Sequence, residues 1–412
     1  MGAPSLAQRA DRGTRAIAIA LGFSLPVSTA LDNILLAAFL CLWALSNDFR
    51  ERLALVARHP VAIGAVAFFA LHLVSAAYTI ATPLEWLESL RKGIAFLLLP
   101  MLIPVFSDPR TRTLAWHAFS AAMIVTLLLS YAIWAGWTPP PDLLKGTPSN
   151  PLVFKFTITQ SVLMAFAAVL FAVRARHAVG IRARVAWAAL AVLAVVNVLF
   201  MVHGRTGQLV ILVLIVFLGI HWGRWRGTLV AAAIAAAALG AAWLMPSSAL
   251  SDRIERSLWE YRSLDPARPQ ATSMSERLYW YRTSVALVAD RPLLGAGAGG
   301  FATAFAEKVP HAPEMHTSNP HNEYLRVAVE FGVLGLAVML FLLIVQWRLA
   351  ARLPEPPDVA LARAVVVTIA VASLVSSTWL DHTERLWYLW ASALLFAAVH
   401  SAPREIRDGA GT

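Results

Sequence analysis

The chain is poor in charge and almost devoid of cysteine. Asp, Glu, Lys and Arg make up 14% of its 412 residues, against about 25% in ordinary soluble domains. Composition of this kind excludes a water-soluble globular protein of such length. Cys41 is the single cysteine, so no intrachain disulfide and no cysteine metal cluster can form. Acidic residues are scarce too, 24 against 34 basic ones. The sequence has no Asp-x-Asp pair, no His-Glu-x-x-His motif and no Walker loop. Metal-dependent sugar transfer and ATP hydrolysis are therefore disfavoured.

What the chain has instead is apolar length, with 58% hydrophobic residues. Stretches of bilayer-spanning length recur at roughly 16–30, 33–47, 60–80, 89–106, 113–136, 156–173, 185–203, 207–222, 227–246, 321–346, 362–380 and 385–400. The pattern predicts an all-α polytopic membrane protein of about twelve transmembrane helices. The first stretch has no convincing cleavage site and reads as a retained helix. The net charge of +10 does not indicate nucleic acid, because the arginines sit in short loops between apolar runs. Those loops, such as Arg50 to Arg58, Arg174 to Arg184 and Arg348 to Arg363, fall on alternate connections. The positive-inside rule makes that side cytoplasmic, with both termini inside. The organisation expected is an N-terminal membrane part over 1–246, an outer helical loop over 247–320 and a C-terminal membrane part over 321–412, all one integrated unit. Within the loop, Ser251 to Arg262 reads as a short amphipathic helix. Ser273 to Glu276 has capping-box spacing and opens a second helix to about Asp290. Leu278, Tyr281, Val285 and Val288 give that helix an apolar face.

The residues with chemical potential gather on the outer side. His321-Asn322-Glu323 follows Pro320 and opens a long apolar run, which predicts a helix capped near Asn322. A histidine at a helix N-terminus feels the positive end of the dipole, which favours the neutral imidazole, the form that accepts a proton. The plain alternative is a histidine that only caps or hydrogen-bonds at the interface. Glu323 and Asp381 are the acidic candidates for orienting the ring. Arg205 lies between two apolar runs on the side where the positive-inside rule disfavours it, which points to an anionic ligand; a snorkelling anchor is the competing reading. Arg277 and Arg282 repeat the anomaly more weakly, and Lys145 and Lys155 are further cations within reach of an anion. Gly295 to Gly300 is glycine-rich, and Gly297 and Gly299 suit either an anion-binding nest or a hinge. Asp381 to Arg385 form a charged turn. Gly332 and Gly335 suit close helix packing rather than chemistry.

These motifs resemble a known family. His321-Asn322, nine residues, then Gly332-Val333-Leu334-Gly335 is similar to the His-Asn-x9-Gly-x-x-Gly pattern of bacterial O-antigen ligases. Arg205 to Leu209 resembles their Arg-x-x-x-Leu pattern, and Arg277 to Phe301, with Arg-Pro-Leu-Leu-Gly-x-Gly inside it, looks like the wider ligase/polymerase signature. The resemblance implies a GT-C-like inner-membrane glycosyltransferase that needs no metal or other cofactor. Its partners would be an undecaprenyl-pyrophosphate-linked glycan donor and a lipid A–core acceptor, among membrane lipids, with no nucleic acid. It implies that His321 activates the acceptor hydroxyl and that Arg205 and Arg277 hold the pyrophosphate. Asp381 is a looser match, and Arg282, Asn322, Lys145, Lys155, Gly297 and Gly299 would line the substrate. Relatives glycosylate proteins or polymerise repeat units. A lipid-glycan flippase is the rival from another class.

Overall fold

The structure is a computed structural model that describes residues 5–46, 49–138, 144–244, 259 and 273–400. Among these residues it is helical, with one isolated bridge, Thr147–Asn150, and no strand. The helices are α1 (Leu6–Val27), α2 (Thr29–Ala44), α3 (Phe49–Val56), α4 (Pro60–Val74), α5 (Pro83–Ile94), α6 (Leu98–Val105), α7 (Pro109–Trp134), α8 (Thr157–His177), α9 (Ile181–Val196), α10 (Arg205–Leu244), α11 (Ser273–Asp290), α12 (Phe301–Lys308), α13 (Glu323–Ala350), α14 (Pro356–Ala372) and α15 (His382–Phe396). Local chemistry sets many of the starts. Ser5 with Gln8 and Thr82 with Glu85 form capping boxes, and Asp108 caps α7 ahead of Pro109.

The chain is a multi-pass membrane protein. Among the described residues six helical stretches are long and apolar enough to cross a bilayer: Pro60–Ala77, Pro109–Trp134, Thr157–His177, Ile181–Met201, Arg205–Gly223 and Glu323–Ala350. Two helices form the inside of the bundle. On α15 every side chain from Thr383 to Phe396 is buried, as expected of a helix that is apolar all round. Trp390 packs against Trp116 and Phe119, and its indole N–H donates to the Ala18 carbonyl at 2.9 Å. Most of α8 is enclosed in the same way.

Four of the expected spans take another form. The stretches at 207–222 and 227–246 fall in one helical element, α10, whose bilayer-spanning part is Arg205–Gly223. No proline interrupts it, and the Ala-rich run after Val230 has the highest helix propensity. Its axis nevertheless bends sharply at the glycines: a Cβ on Gly227 would lie 2.2 Å from the Gly219 carbonyl oxygen, which a straight helix would hold about 12 Å away. The stretch at 89–106 is split into α5 and α6 around a 3-10 turn, Ala95–Leu97. The helix expected through 380 stops at Ala372, where Ser373, Ser376, Ser377 and Thr378 offer the backbone competing hydrogen bonds. The amphipathic helix expected over 251–262 lies outside the described residues.

α11 spans the residues expected of it, but it turns a different face inward. Leu278 and Val285 are 38% and 59% exposed, whereas Thr283, Ser284 and Leu287 are buried. Leu287 belongs to a small outer core with Ala296, Phe301, Phe305 and Val329, and this core, rather than the helix's most apolar stripe, fixes its rotation.

Candidate active site

The site begins with a break in α13. Gly332 has φ 63° and ψ −159°, which interrupts the helix inside its apolar run; only glycine adopts this conformation readily. The turn Pro292–Gly297 fills the gap. Val333 N–H donates to Pro292 O at 2.8 Å, while Ala296 and Gly297 N–H donate to Val329 O and Glu330 O at 2.8 Å each. The backbone groups freed by the kink are thus satisfied by a second segment, as irregular backbone at membrane depth requires. A Cβ on Gly332 would sit 2.3 Å from the Leu293 carbonyl. The two glycine motifs are two halves of one joint.

This joint decides between the readings of the glycine run. Gly295 N–H donates to Arg291 O, and Ala298 N–H donates to Ser75 Oγ. A Cβ on Gly297 would lie 2.4 Å from Thr79, and one on Gly299 would lie 2.7 Å from the Glu85 carbonyl. The amides of residues 295–298 are therefore committed to the protein, and the run serves as a packed hinge.

Above the joint, α13 starts at Glu323 with Asn322 as its cap, accepting from Leu325 N–H at 3.0 Å. His321, just before the cap, has φ 54°, and is the non-glycine residue with positive φ among the described residues. Such a conformation stores about 1–3 kcal/mol and is held from three sides. Asn319 Oδ1 accepts from His321 N–H at 2.8 Å and from Ser377 Oγ at 2.6 Å. The Tyr281 hydroxyl lies 3.3 Å from the carbonyls of both His321 and Leu374, and Asn322 Nδ2 donates to Leu374 O at 3.0 Å. The imidazole lies 5.6 Å from the Trp280 ring at 34°. Neither ring nitrogen hydrogen-bonds to a described residue, and the side chain is half-buried.

Arg277, Trp280 and Tyr281 share one face of α11 through their i, i+3 and i+4 spacing, and that face meets His321. Burial, and then the nearby charge of Arg277, hold the imidazole below its ordinary value of 6.5. Both effects favour the neutral ring. The expected orienting carboxylates are engaged elsewhere. Glu323 accepts from Arg326 Nη2 at 2.5 Å and from Trp379 N–H at 3.2 Å, wholly buried. Asp381 lies near Glu323, Arg385, Lys92 and Arg326, and burial, then the charge of Glu323, lift its carboxyl to about 6. Position rather than a carboxylate partner orients the ring.

The other cations separate into groups. Arg205 is the first residue of α10, in a turn tied to α8 because Gly204 and Gly207 both close on Ser161. Arg282 is exposed on α11. Lys145 is exposed, with its ammonium 3.7 Å above the Phe156 ring. Lys155 is buried and internal: it donates to Thr29 Oγ1 at 2.9 Å and Thr383 Oγ1 at 3.0 Å, with Asp32 at 3.7 Å. It ties α2 and α15 together. Sequence reasoning missed the segment 373–380, whose Leu374 carbonyl and Ser377 hydroxyl form the floor beneath His321. It also missed Lys92 and Arg91 on α5, whose charges reach Asp381 and His382 respectively.

Residues 188–340, which hold the kink, the hinge, Arg205, Arg277 and His321, match the family model described as O-antigen ligase. This segment is similar to the O-antigen ligase family. A comparison with curated proteins finds no match. The superfamily implies a membrane-embedded, glycosyltransferase-like enzyme acting on lipid-linked glycans. Asp381, Lys145 and Lys155 lie outside the O-antigen ligase segment.

Proposed function

We propose that the chain ligates a glycan carried on undecaprenyl pyrophosphate to a sugar hydroxyl of lipid A–core, at the periplasmic face of a bacterial inner membrane. His321 takes the proton of the acceptor hydroxyl on a ring nitrogen. The resulting oxygen nucleophile attacks the anomeric carbon as the carbon–phosphate oxygen bond breaks. Undecaprenyl pyrophosphate departs with the electron pair, and Arg205 and Arg277 neutralise its growing charge, a task guanidinium groups perform without a metal. A single direct displacement inverts the anomeric centre.

The observation that carries this reading is a half-buried imidazole, favoured in its neutral form by burial and by the charge of nearby Arg277, in a turn held from three sides. A general base needs that protonation state, and an anionic leaving group needs that neighbour. The test is an assay of purified protein in detergent, with a defined undecaprenyl-linked glycan offered to lipid A–core and to a protein acceptor side by side. Product on lipid A–core, resistant to EDTA, is expected. Product on the protein alone, or longer glycan still on undecaprenol, would replace the proposal with a protein-glycosylating or polymerising activity. No product at all in this single compartment would favour a flippase.

A further inference from the structure

A second site lies away from the histidine, on the arginine-rich side. Helices α8, α9 and α10 enclose a slot of about 650 Å³. Its walls are almost wholly apolar, from Ala168, Val169, Val195 and Ile211 at one end to Leu218 and Trp222 near the other. On α10 the lining from Ile211 to Trp222 is about 17 Å along the axis, close to the roughly 15 Å of one leaflet's share of the hydrocarbon core. Gly219, Gly223 and Gly227 also line it, where α10 bends so that a Cβ on Gly227 would meet the Gly219 carbonyl oxygen at 2.2 Å. At Gly223 a Cβ would meet nothing within 4 Å, so its missing side chain leaves room.

The slot is charged at one end only. Arg176 and Arg226 line it there, both exposed. The Arg176 guanidinium lies 5.2 Å from the Trp222 ring and that of Arg226 lies 5.3 Å from the Trp225 ring. Neither pairs with a carboxylate among the described residues. Tryptophan and arginine at one level mark a membrane interface, so the apolar length of the slot lies in acyl chains and its cationic end lies among head groups. An apolar trough ending in two arginines that pair with no carboxylate among the described residues is complementary to one molecular shape, an acyl chain joined to a phosphate.

We propose that this slot is a binding site for an anionic phospholipid of the arginine-side leaflet, one acyl chain along its apolar wall and its phosphate between Arg176 and Arg226. The full chain is reconstituted into nanodiscs of equal phosphatidylglycerol and phosphatidylcholine, and retained lipid is counted by native mass spectrometry. Phosphatidylglycerol should be retained about tenfold over phosphatidylcholine, about 1.4 kcal/mol. Arg176→Gln with Arg226→Gln should bring that ratio close to one. Gly223→Leu, which fills open space, should reduce retention of both lipids. Arg182→Gln with Arg184→Gln, basic residues that do not line the slot, should leave the ratio unchanged. Equal retention by the wild type, or an equal loss from the Arg182/Arg184 pair, would overturn the proposal and leave the arginines as interfacial anchors. If the double variant does not stay monodisperse, Arg226→Gln alone and Gly223→Leu carry the comparison.

Discussion

Replacing Gly332 by alanine tests the joint on which the site stands. At φ 63° and ψ −159° a Cβ carries a backbone penalty of about 1–3 kcal/mol. The same Cβ would lie 2.3 Å from the carbonyl carbon and oxygen of Leu293 and 2.7 Å from the Leu294 nitrogen. These are backbone atoms, so the turn must move away by an ångström or more. That movement strains the three 2.8 Å bonds joining the turn to Val329, Glu330 and Val333, each worth about 1 kcal/mol. The expected loss is about 4–6 kcal/mol, a large part of the 5–15 typical of a folded domain. It should appear as a fall on the order of 10 °C in the unfolding midpoint of purified protein, followed by tryptophan fluorescence. Gly223→Ala is the matched control: its Cβ meets nothing, so helix propensity should raise stability by up to about 1 kcal/mol. A Gly332→Ala protein that melts within about 1 °C of wild type would refute the account of the joint.

Three further outcomes follow from the site. Tyr281→Phe removes the hydroxyl shared by the His321 and Leu374 carbonyls and should lower kcat about fivefold, near 1 kcal/mol, with the fold intact by circular dichroism; unchanged kcat would show that the turn needs no such support. The acid limb of kcat/KM should lie below pH 6.5, because burial and Arg277 depress the imidazole. Protonation then removes the base only at lower pH, and Arg277→Gln should move the limb upward in its residual activity; a limb that stays put would contradict the coupling. Glu323→Ala leaves Arg326 and the Trp379 N–H short of an acceptor deep in the bundle. A loss of about 3–5 kcal/mol is expected, read as aggregation or a lowered melting point, and wild-type stability would argue against the buried triad.

What was legible in the sequence was local. The Ser273–Asp290 helix and the Asn322 cap are written in neighbouring residues, and both occur as read. The apolar windows gave the membrane class for the same reason. Where the reading failed, a distant segment decided the outcome. Gly332 in an apolar run fits either packing or a break, and only the inserted Pro292–Gly297 turn makes it a break. Segment 373–380 passes for the end of a span because Val375, Trp379 and Leu380 are apolar, yet Ser377 bonds to Asn319 and Ser373 to Thr378. Lys155 resembles a surface cation until Thr383, more than two hundred residues away, is placed beside it. The partners of a buried charge are set by topology, which no window of neighbouring residues contains.

The central claim is that His321 is the general base, and the most direct measurement is the turnover of purified, inserted His321→Ala with defined donor and acceptor. The account predicts a loss of about 10²–10⁴-fold in kcat with the melting point and donor binding retained. Turnover equal to wild type in a protein shown to be folded would contradict it.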